Sequence, residues 1–459
     1  MARETKKDLR NQLIYSIFVR NYSQEGTFEA VLRDLDRIRA LGTDIIWLMP
    51  IHPIGEVHRK GTLGSPYAIR DYRAINPEYG TMEDFIRLVD SIHAKGMRVI
   101  IDVVYNHTSP DSVLANEHPE WFYQKPDGSF GNKTGDWWDV IDLDYQDRKL
   151  WDYQIETLCM WAEYVDGFRC DVASLVPVDF WIRAREAVAK IRPDAIWLAE
   201  SVHGSFLVHN RSRGIPAWSD AELYQAFDME YDYDIFEEYL GYLEGANSLR
   251  EYCRLVNRQE LSYPDNYVKV RYLENHDQPR AHFLIPQERC LRNWTAFQFF
   301  LKGAAMLYAG QEKGCTHCPG LFDRDTLIWS RHGDDGADMD LSSLIRRLAD
   351  MKKDPMFTDS TCHLTVHQND TVIGIHTVNA WRPDPSAPFD GTAMIGIFPM
   401  KGESAVINLA EKKAEGGQTL NQIVTDGVYI NYVDGSRTEV CSGLIHTDGR
   451  AVIIKVRKE

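Results

Sequence analysis

The 459-residue chain has no stretch near the ~20 consecutive apolar residues that a membrane-spanning helix needs, which argues against a membrane as partner. Its opening residues, MARETKKDLRNQLIY, carry charges with no apolar run of signal-peptide length behind them, so a cytoplasmic location is the expectation. The eight cysteines are scattered, a pattern that fits reduced thiols and offers no disulfide framework. The one close pair, Cys315 and Cys318 around His317, lacks the second ligand pair that a structural zinc requires. Basic charge is also short. With 51 Lys and Arg against 68 Asp and Glu, the formal net charge is -17, so a phosphate backbone is repelled and nucleic acid is not an expected partner. There is no internal repeat and no low-complexity segment.

Aromatic residues are abundant: 12 Trp and 22 Tyr, side chains that fill cores and also suit the faces of sugar rings. The chain exceeds the ~150 residues of an average domain, although α/β barrels run longer as single units. Short apolar runs alternate with amphipathic stretches over most of its length. Residues 13–19 read as a strand, 27–42 as a helix stopped by Gly42, 44–51 as a strand, 81–96 as a helix stopped by Gly96, and 97–104 as a strand. The rhythm returns at 164–172, 195–201, 224–231, 267–277 and 303–312, giving eight candidate strands. Repeated strand–helix units call for a parallel sheet with helices outside, and eight of them predict an α/β fold, a closed (β/α)8 TIM barrel. Residues 108–150, rich in Asp, Gly, Pro and Trp, interrupt it as an irregular domain inserted after strand 3. From about residue 360 short β-like runs separated by turns predict a C-terminal antiparallel β-sandwich. The expected domains are therefore 1–107 with 151–358, 108–150, and 359–459.

Charged residues stand where the candidate strands end. DVVYNH carries Asp102, Asn106 and His107; VDGFRCDVAS carries Arg169 and Asp171; WLAES carries Glu200; YLENHD carries His276 and Asp277. An unpaired carboxylate at the end of a buried strand costs several kcal/mol or more. Arg169, two residues before Asp171, projects to the same side of its strand and is expected to keep that carboxylate ionised. Taken singly, each residue has an ordinary explanation as a helix cap or a satisfied hydrogen-bonder. Together, at successive strand ends of a barrel, they mark a working mouth.

These four segments, in this order, resemble the signature segments of the α-amylase family of glycoside hydrolases, and the resemblance runs from about residue 13 to the C-terminal sandwich. It implies a retaining enzyme with Asp171 as nucleophile, Glu200 as general acid/base and Asp277 as the third carboxylate, which binds sugar hydroxyls and favours the transition state. One carboxylate attacks the anomeric carbon while a protonated carboxyl releases the leaving oxygen, so the two need opposite protonation states near neutral pH. His107 and His276 are expected to donate to hydroxyls of the reacting sugar, with Asp102 supporting from behind. SPYAIRDYRAINPEYGT resembles the segment whose tyrosine, here Tyr67, stacks on that sugar; Asp71 and Tyr72 continue it. LFDRDTLIW is expected to bring Asp323 and Arg324 to the next sugar pocket.

The match is incomplete. The Lys-His pair that follows the nucleophile segment in many members is replaced by CDVASLV, and the acidic calcium loop of several oligosaccharide-acting members by RNYSQEGTF. Asn106 stands where a calcium ligand often does, so no cofactor is required, and Ca2+ is a possible addition. The expected substrate is an α-1,4-glucan or maltooligosaccharide. NHDQPR and Val172 resemble α-glucosidases acting on short α-1,4 or α-1,6 oligosaccharides, and a transglycosylase or isomerase would use the same glucosyl-enzyme. A non-catalytic sugar-binding barrel would be favoured by loss of a carboxylate, and all three are present. Oligomeric state is not legible.

Overall fold

The computed structural model describes residues 4–134, 137–329, 339–378, 391–411, 420 and 423–457. The strands Leu13–Ile17 (β1), Ile45–Leu48 (β2), Arg98–Val103 (β3), Gly167–Cys170 (β6), Ile196–Ala199 (β7), Met229–Tyr231 (β8), Val268–Arg271 (β9) and Ala304–Tyr308 (β10) form a closed barrel. Their order around it is β1-β10-β9-β8-β7-β6-β3-β2, so the expected α/β barrel is present. The pairs β1–β2, β2–β3, β3–β6, β6–β7, β7–β8 and β9–β10 run parallel. Two further strands, His107–Thr108 (β4) and Ile141–Asp142 (β5), make a small antiparallel ladder between β3 and β6, together with the short helix Val113–Glu117.

The chain divides into two compact units: residues 1–5, 14–234 and 317–329 in the first, and 6–13, 235–316 and 330–459 in the second. In the first unit the strands are short and buried along their length, as apolar runs feeding a parallel sheet should be. The helix Met82–Ala94 starts on a reciprocal capping box of Thr81 and Asp84 and buries Phe85, Leu88, Val89 and Ile92. Gly167 opens β6 at φ +154, where a Cβ would meet the Ile196 carbonyl oxygen of β7 at 2.1 Å. Only glycine lets those two strands close, and β6 and β7 are the strands that carry Asp171 and Glu200.

Two sequence expectations change here. The helix foreseen over 27–42 is broken into Phe28–Arg33 and Leu35–Ala40. The break falls at Asp34, whose carboxylate takes the Arg37 guanidinium at 2.9 Å and the Tyr22 hydroxyl. The strand foreseen over 224–231 begins only at Met229, after the helix Asp220–Leu223. Asp228 occupies the backbone N–H of Trp197 with its carboxylate at 3.0 Å and pairs with Arg185, so a side chain takes the place of the first ladder bond.

In the second unit Thr361–His367 (β11), Thr371–Val378 (β12), Thr392–Pro399 (β13) and Val452–Arg457 (β18) form one antiparallel sheet, in the order β11-β12-β13-β18. Ala405–Asn408 (β14), Gly427–Ile430 (β15), Arg437–Cys441 (β16) and Leu444–Thr447 (β17) form another, in the order β14-β17-β16-β15. Ile373, Ile395 and Ile454 from the first sheet and Ile407, Val440 and Ile445 from the second are buried in one core, a sandwich of two inner faces. Among the described residues no helix is long and apolar enough to cross a membrane.

Candidate active site

The β6 strand ends at Cys170 and the β7 strand at Ala199, so Asp171 and Glu200 are the first residues beyond two neighbouring strands. Between them sits Arg169, fully buried. Its Nη1 donates to Asp102 at 3.0 Å and to Asp171 Oδ1 at 2.9 Å, and its Nη2 lies 2.7 Å from Glu200 Oε1. The last contact is an ion pair without hydrogen-bond geometry. The rings of Trp47, Tyr231 and Tyr67 surround the guanidinium at 5.0, 5.3 and 5.8 Å, an arrangement favourable for a cation. Burial opposes the charge on Arg169, but Asp102 and Glu200 outweigh it, and the guanidinium holds its proton more tightly than usual.

One cation shared by three carboxylates cannot neutralise them all. Burial, and after it the neighbouring Glu200, push Asp171 well above the ordinary carboxylate range, against the pull of Arg169. Arg169 does pull toward the ionised form of Asp171, as expected, but Asp102 shares its guanidinium. Asp171 Oδ2 is buried and accepts no hydrogen bond from the described residues.

His107 lies on β4 with its Nε2 3.9 Å from Asp171 Oδ2, beyond hydrogen-bond range. The Asn106 amide donates to its Nδ1 at 3.1 Å, which leaves the proton of a neutral ring on Nε2, the side facing Asp171. Burial lowers His107 to about 4, despite Asp139 nearby. The ring is thus expected to be neutral, protonated on Nε2, down to about pH 4. Long-range 1H–15N spectra at pH 6 should show that tautomer; an imidazolium there would contradict it. The sign for stability follows: a histidine depressed from 6.5 to about 4 contributes fully above 6.5 and loses its contribution as pH falls through that window.

Tyr67 donates its hydroxyl to Asp102 Oδ2 at 3.2 Å, and Asp102 is fully buried, so Asp102 holds both Arg169 and Tyr67. Tyr72 is buried and donates to the backbone oxygens of Val104 and His107 at 2.6 and 3.0 Å, fixing the turn that carries His107. Asp71 accepts the Arg73 N–H at 2.8 Å. Asp323 accepts the N–H and hydroxyl of Thr62 at 2.8 and 2.6 Å, which hold its pKa below the usual value, and Arg324 reaches the Gln24 carbonyl at 3.4 Å. Both partners lie far away in sequence, so the two residues tie this segment to the loops that carry Thr62 and Gln24.

Sequence reasoning missed three aromatic residues near His107. Trp137 lies 5.6 Å from the His107 ring and 6.5 Å from Phe206, nearly parallel to it. Trp138 is 59% exposed, with the Lys60 ammonium 5.4 Å from its ring centroid; Lys60 in turn pairs with buried Asp139 at 2.6 Å. The signal was the run DWWD inside the irregular segment, legible as aromatic but not as adjacent to a strand end.

In the second unit, His276 is buried with Nε2 3.1 Å from Asp277 Oδ2, and Asp277 is partly exposed. Its N–H donates to Asn275 Oδ1 at 2.9 Å. Buried Glu274 takes Arg280 Nη1 and the Ala281 N–H, each at 2.6 Å, so NHDQPR is a loop closed on an ion pair immediately after β9. The Asn106 side-chain nitrogen donates to His107, and among the described residues no three His, Cys, Asp or Glu side chains are grouped to hold a metal. His317 faces Asp325 at 2.8 Å.

The fold and the site define a class: a (β/α)8 barrel, a β-sandwich following it in the chain, and carboxylates sharing one buried arginine at neighbouring strand ends. A family model described as the alpha amylase catalytic domain matches residues 12–380, and one described as the bacterial alpha amylase C-terminal domain matches residues 363–454. The chain belongs to the alpha-amylase family. It is 46% identical to an alpha-amylase from Lactobacillus plantarum, whose crystal structure aligns with a TM-score of 0.89 over 98% of this chain and 100% of that one. A maltogenic alpha-amylase, AmyB, from Thermotoga neapolitana is 32% identical, with a TM-score of 0.81 over 98% and 100% of the two chains. The alpha-amylase MalA of Haloarcula japonica is 29% identical over 75% of this chain and 49% of its own length; this chain therefore spans about half of that curated relative.

Proposed function

We propose that the protein is a retaining glycoside hydrolase that cleaves α-1,4-glucosidic bonds of starch-like glucans or maltooligosaccharides. The observation that carries the reading is the Asp171–Arg169–Glu200 bridge, which joins the ends of two adjacent strands. Asp171 Oδ2, with no hydrogen bond to give up, attacks the anomeric carbon and forms a glycosyl ester. Glu200 gives its proton to the departing oxygen and then takes one from the incoming water, whose oxygen displaces Asp171. When sugar enters, Asp171 must be ionised to attack and Glu200 protonated to release the leaving oxygen. Asp277 is assigned the third-carboxylate role on its segment YLENHD at the end of β9. Tyr67, held by Asp102, offers its ring to the reacting sugar, and His107 and His276 donate to its hydroxyls.

Trp137 and Phe206 beside His107 favour a second sugar on that flank, which makes transfer to a sugar acceptor the competing outcome. The test is 1H NMR of early products from maltotriose through maltoheptaose, with pullulan and isomaltose alongside. Hydrolysis with retention yields the α-anomer first and new reducing ends in step with bonds broken. Products longer than the substrate would identify a transferase, and the β-anomer would refute the mechanism.

A further inference from the structure

Among the described residues, five non-glycine residues have positive φ: His58, Val172, Asn369, Asp370 and Ser442. Val172, at φ +41, is the one β-branched residue among them, and β-branched residues there are genuine outliers. It is also the residue immediately after Asp171. Backbone strain of this kind persists only where surrounding structure imposes it, and it recurs at functional sites.

The ladder between β6 and β7 shows what the left-handed turn does. The Ile196 N–H donates to the Asp166 carbonyl at 2.8 Å and the Glu200 N–H to the Cys170 carbonyl at 2.9 Å, the period-two pattern of a parallel pair. Continued by one step, that pattern would give the Glu200 carbonyl to the N–H of Val172. Instead the N–H of Ala173 takes it at 3.1 Å. Val172 behaves as one extra residue in the strand, a bulge, and its N–H is released from the ladder. That N–H donates to Glu200 Oε2 at 2.8 Å. The turn is held from the far side by the Leu175 N–H on the Val172 carbonyl at 2.9 Å and the Trp181 indole on the Ala173 carbonyl at 3.2 Å.

We infer that Val172 is a positioning residue: its left-handed backbone diverts one N–H from the sheet to Glu200 Oε2 and so fixes the plane of the acid/base carboxyl against the nucleophile's own strand. Glu200 is then tied at three points to the segment that carries Asp171, through its N–H, its carbonyl and its carboxyl. The side chain's angle thereby follows the nucleophile's position, whatever the rest of the β7 loop does. The inference rests on the assignment of Glu200 as acid/base.

The test deletes the N–H and leaves the side chain. In the full-length protein, residue 172 is replaced by the α-hydroxy acid analogue of valine, which turns the Asp171–Val172 amide into an ester. kcat/KM is measured on maltotriose, whose leaving group needs protonation, and on α-maltosyl fluoride, whose leaving group does not. Loss of about tenfold or more on maltotriose, with the fluoride within about twofold, is the expected result. Equal losses on both substrates, or no loss on either, would overturn the inference. Glu200→Gln serves as the reference: if it fails to separate the two substrates, the assignment of Glu200 falls and the inference with it. If it separates them and the ester does not, only the positioning role is lost. Val172→Gly and Val172→Ala together report the strain independently: glycine accepts positive φ freely, so the glycine variant should melt above the alanine one, and the reverse order would show that the position is not strained.

Discussion

Asp171→Ala is expected to lower kcat on maltooligosaccharides by about 10⁴-fold or more while the protein folds normally. The argument starts from the two oxygens of that carboxylate. Oδ1 is tied to Arg169 at 2.9 Å, and Oδ2 is buried without a hydrogen-bond partner among the described residues. An unpaired buried oxygen is a liability for folding, of order 1–3 kcal/mol, that a purely structural ion pair has no reason to carry. It is what a nucleophile requires, since each hydrogen bond on the attacking oxygen must be broken to reach the anomeric carbon. Truncation leaves Arg169 with Asp102 and Glu200, so the core keeps its charge balance. The sign for stability is also fixed. Folding raises Asp171 above its ordinary 3.8, so its contribution is fully present below that value and is lost as pH rises through the raised one. At neutral pH the variant should therefore melt no lower than the parent. Azide separates this role from that of Glu200: added to Asp171→Ala it should restore turnover with a β-glycosyl azide product, the inverted sugar, whereas Glu200→Ala should yield the α-azide. A variant that fails to fold, or an α-azide from Asp171→Ala, would remove Asp171 from the nucleophile's role.

Much of this was legible in the chain, for reasons particular residues make plain. The strand-end segments were readable because barrel chemistry concentrates at one end of each strand, so Asp171 and Glu200 follow directly on β6 and β7. Gly167 was visible as a glycine, but the reason for it, a neighbouring carbonyl 2.1 Å from any Cβ, needs the pairing of β6 with β7. The partners of Asp323 and Arg324 were not legible, because Thr62 and Gln24 lie far from them in sequence. The strand at 224–231 was read too long for a similar reason: Asp228 satisfies a backbone N–H with its side chain, a substitution that no periodicity records. Nor could spacing show that Arg169 serves three carboxylates, since Asp102 arrives from β3, some 67 positions away in sequence.

Arg169→Gln is expected to destabilise the protein by about 3–5 kcal/mol at neutral pH, the range for breaking a buried ion pair on one side only, and to abolish measurable turnover. Glutamine removes the charge and shortens the side chain together, so the pH dependence of the loss separates the two effects. Three buried carboxylates, on Asp102, Asp171 and Glu200, would then face one another with no cation between them. Their simplest relief is to bind protons, which makes the defect dependent on pH in a known direction. Each proton taken up on folding lowers stability as pH rises, so the Tm gap between parent and variant should be small near pH 4 and widen steadily toward pH 8. Calorimetry across that range measures it directly. A gap that stayed constant would mean lost packing against Trp47 and Tyr231 rather than lost charge. The same cation that makes the site possible thus sets how far the protein can be taken into base.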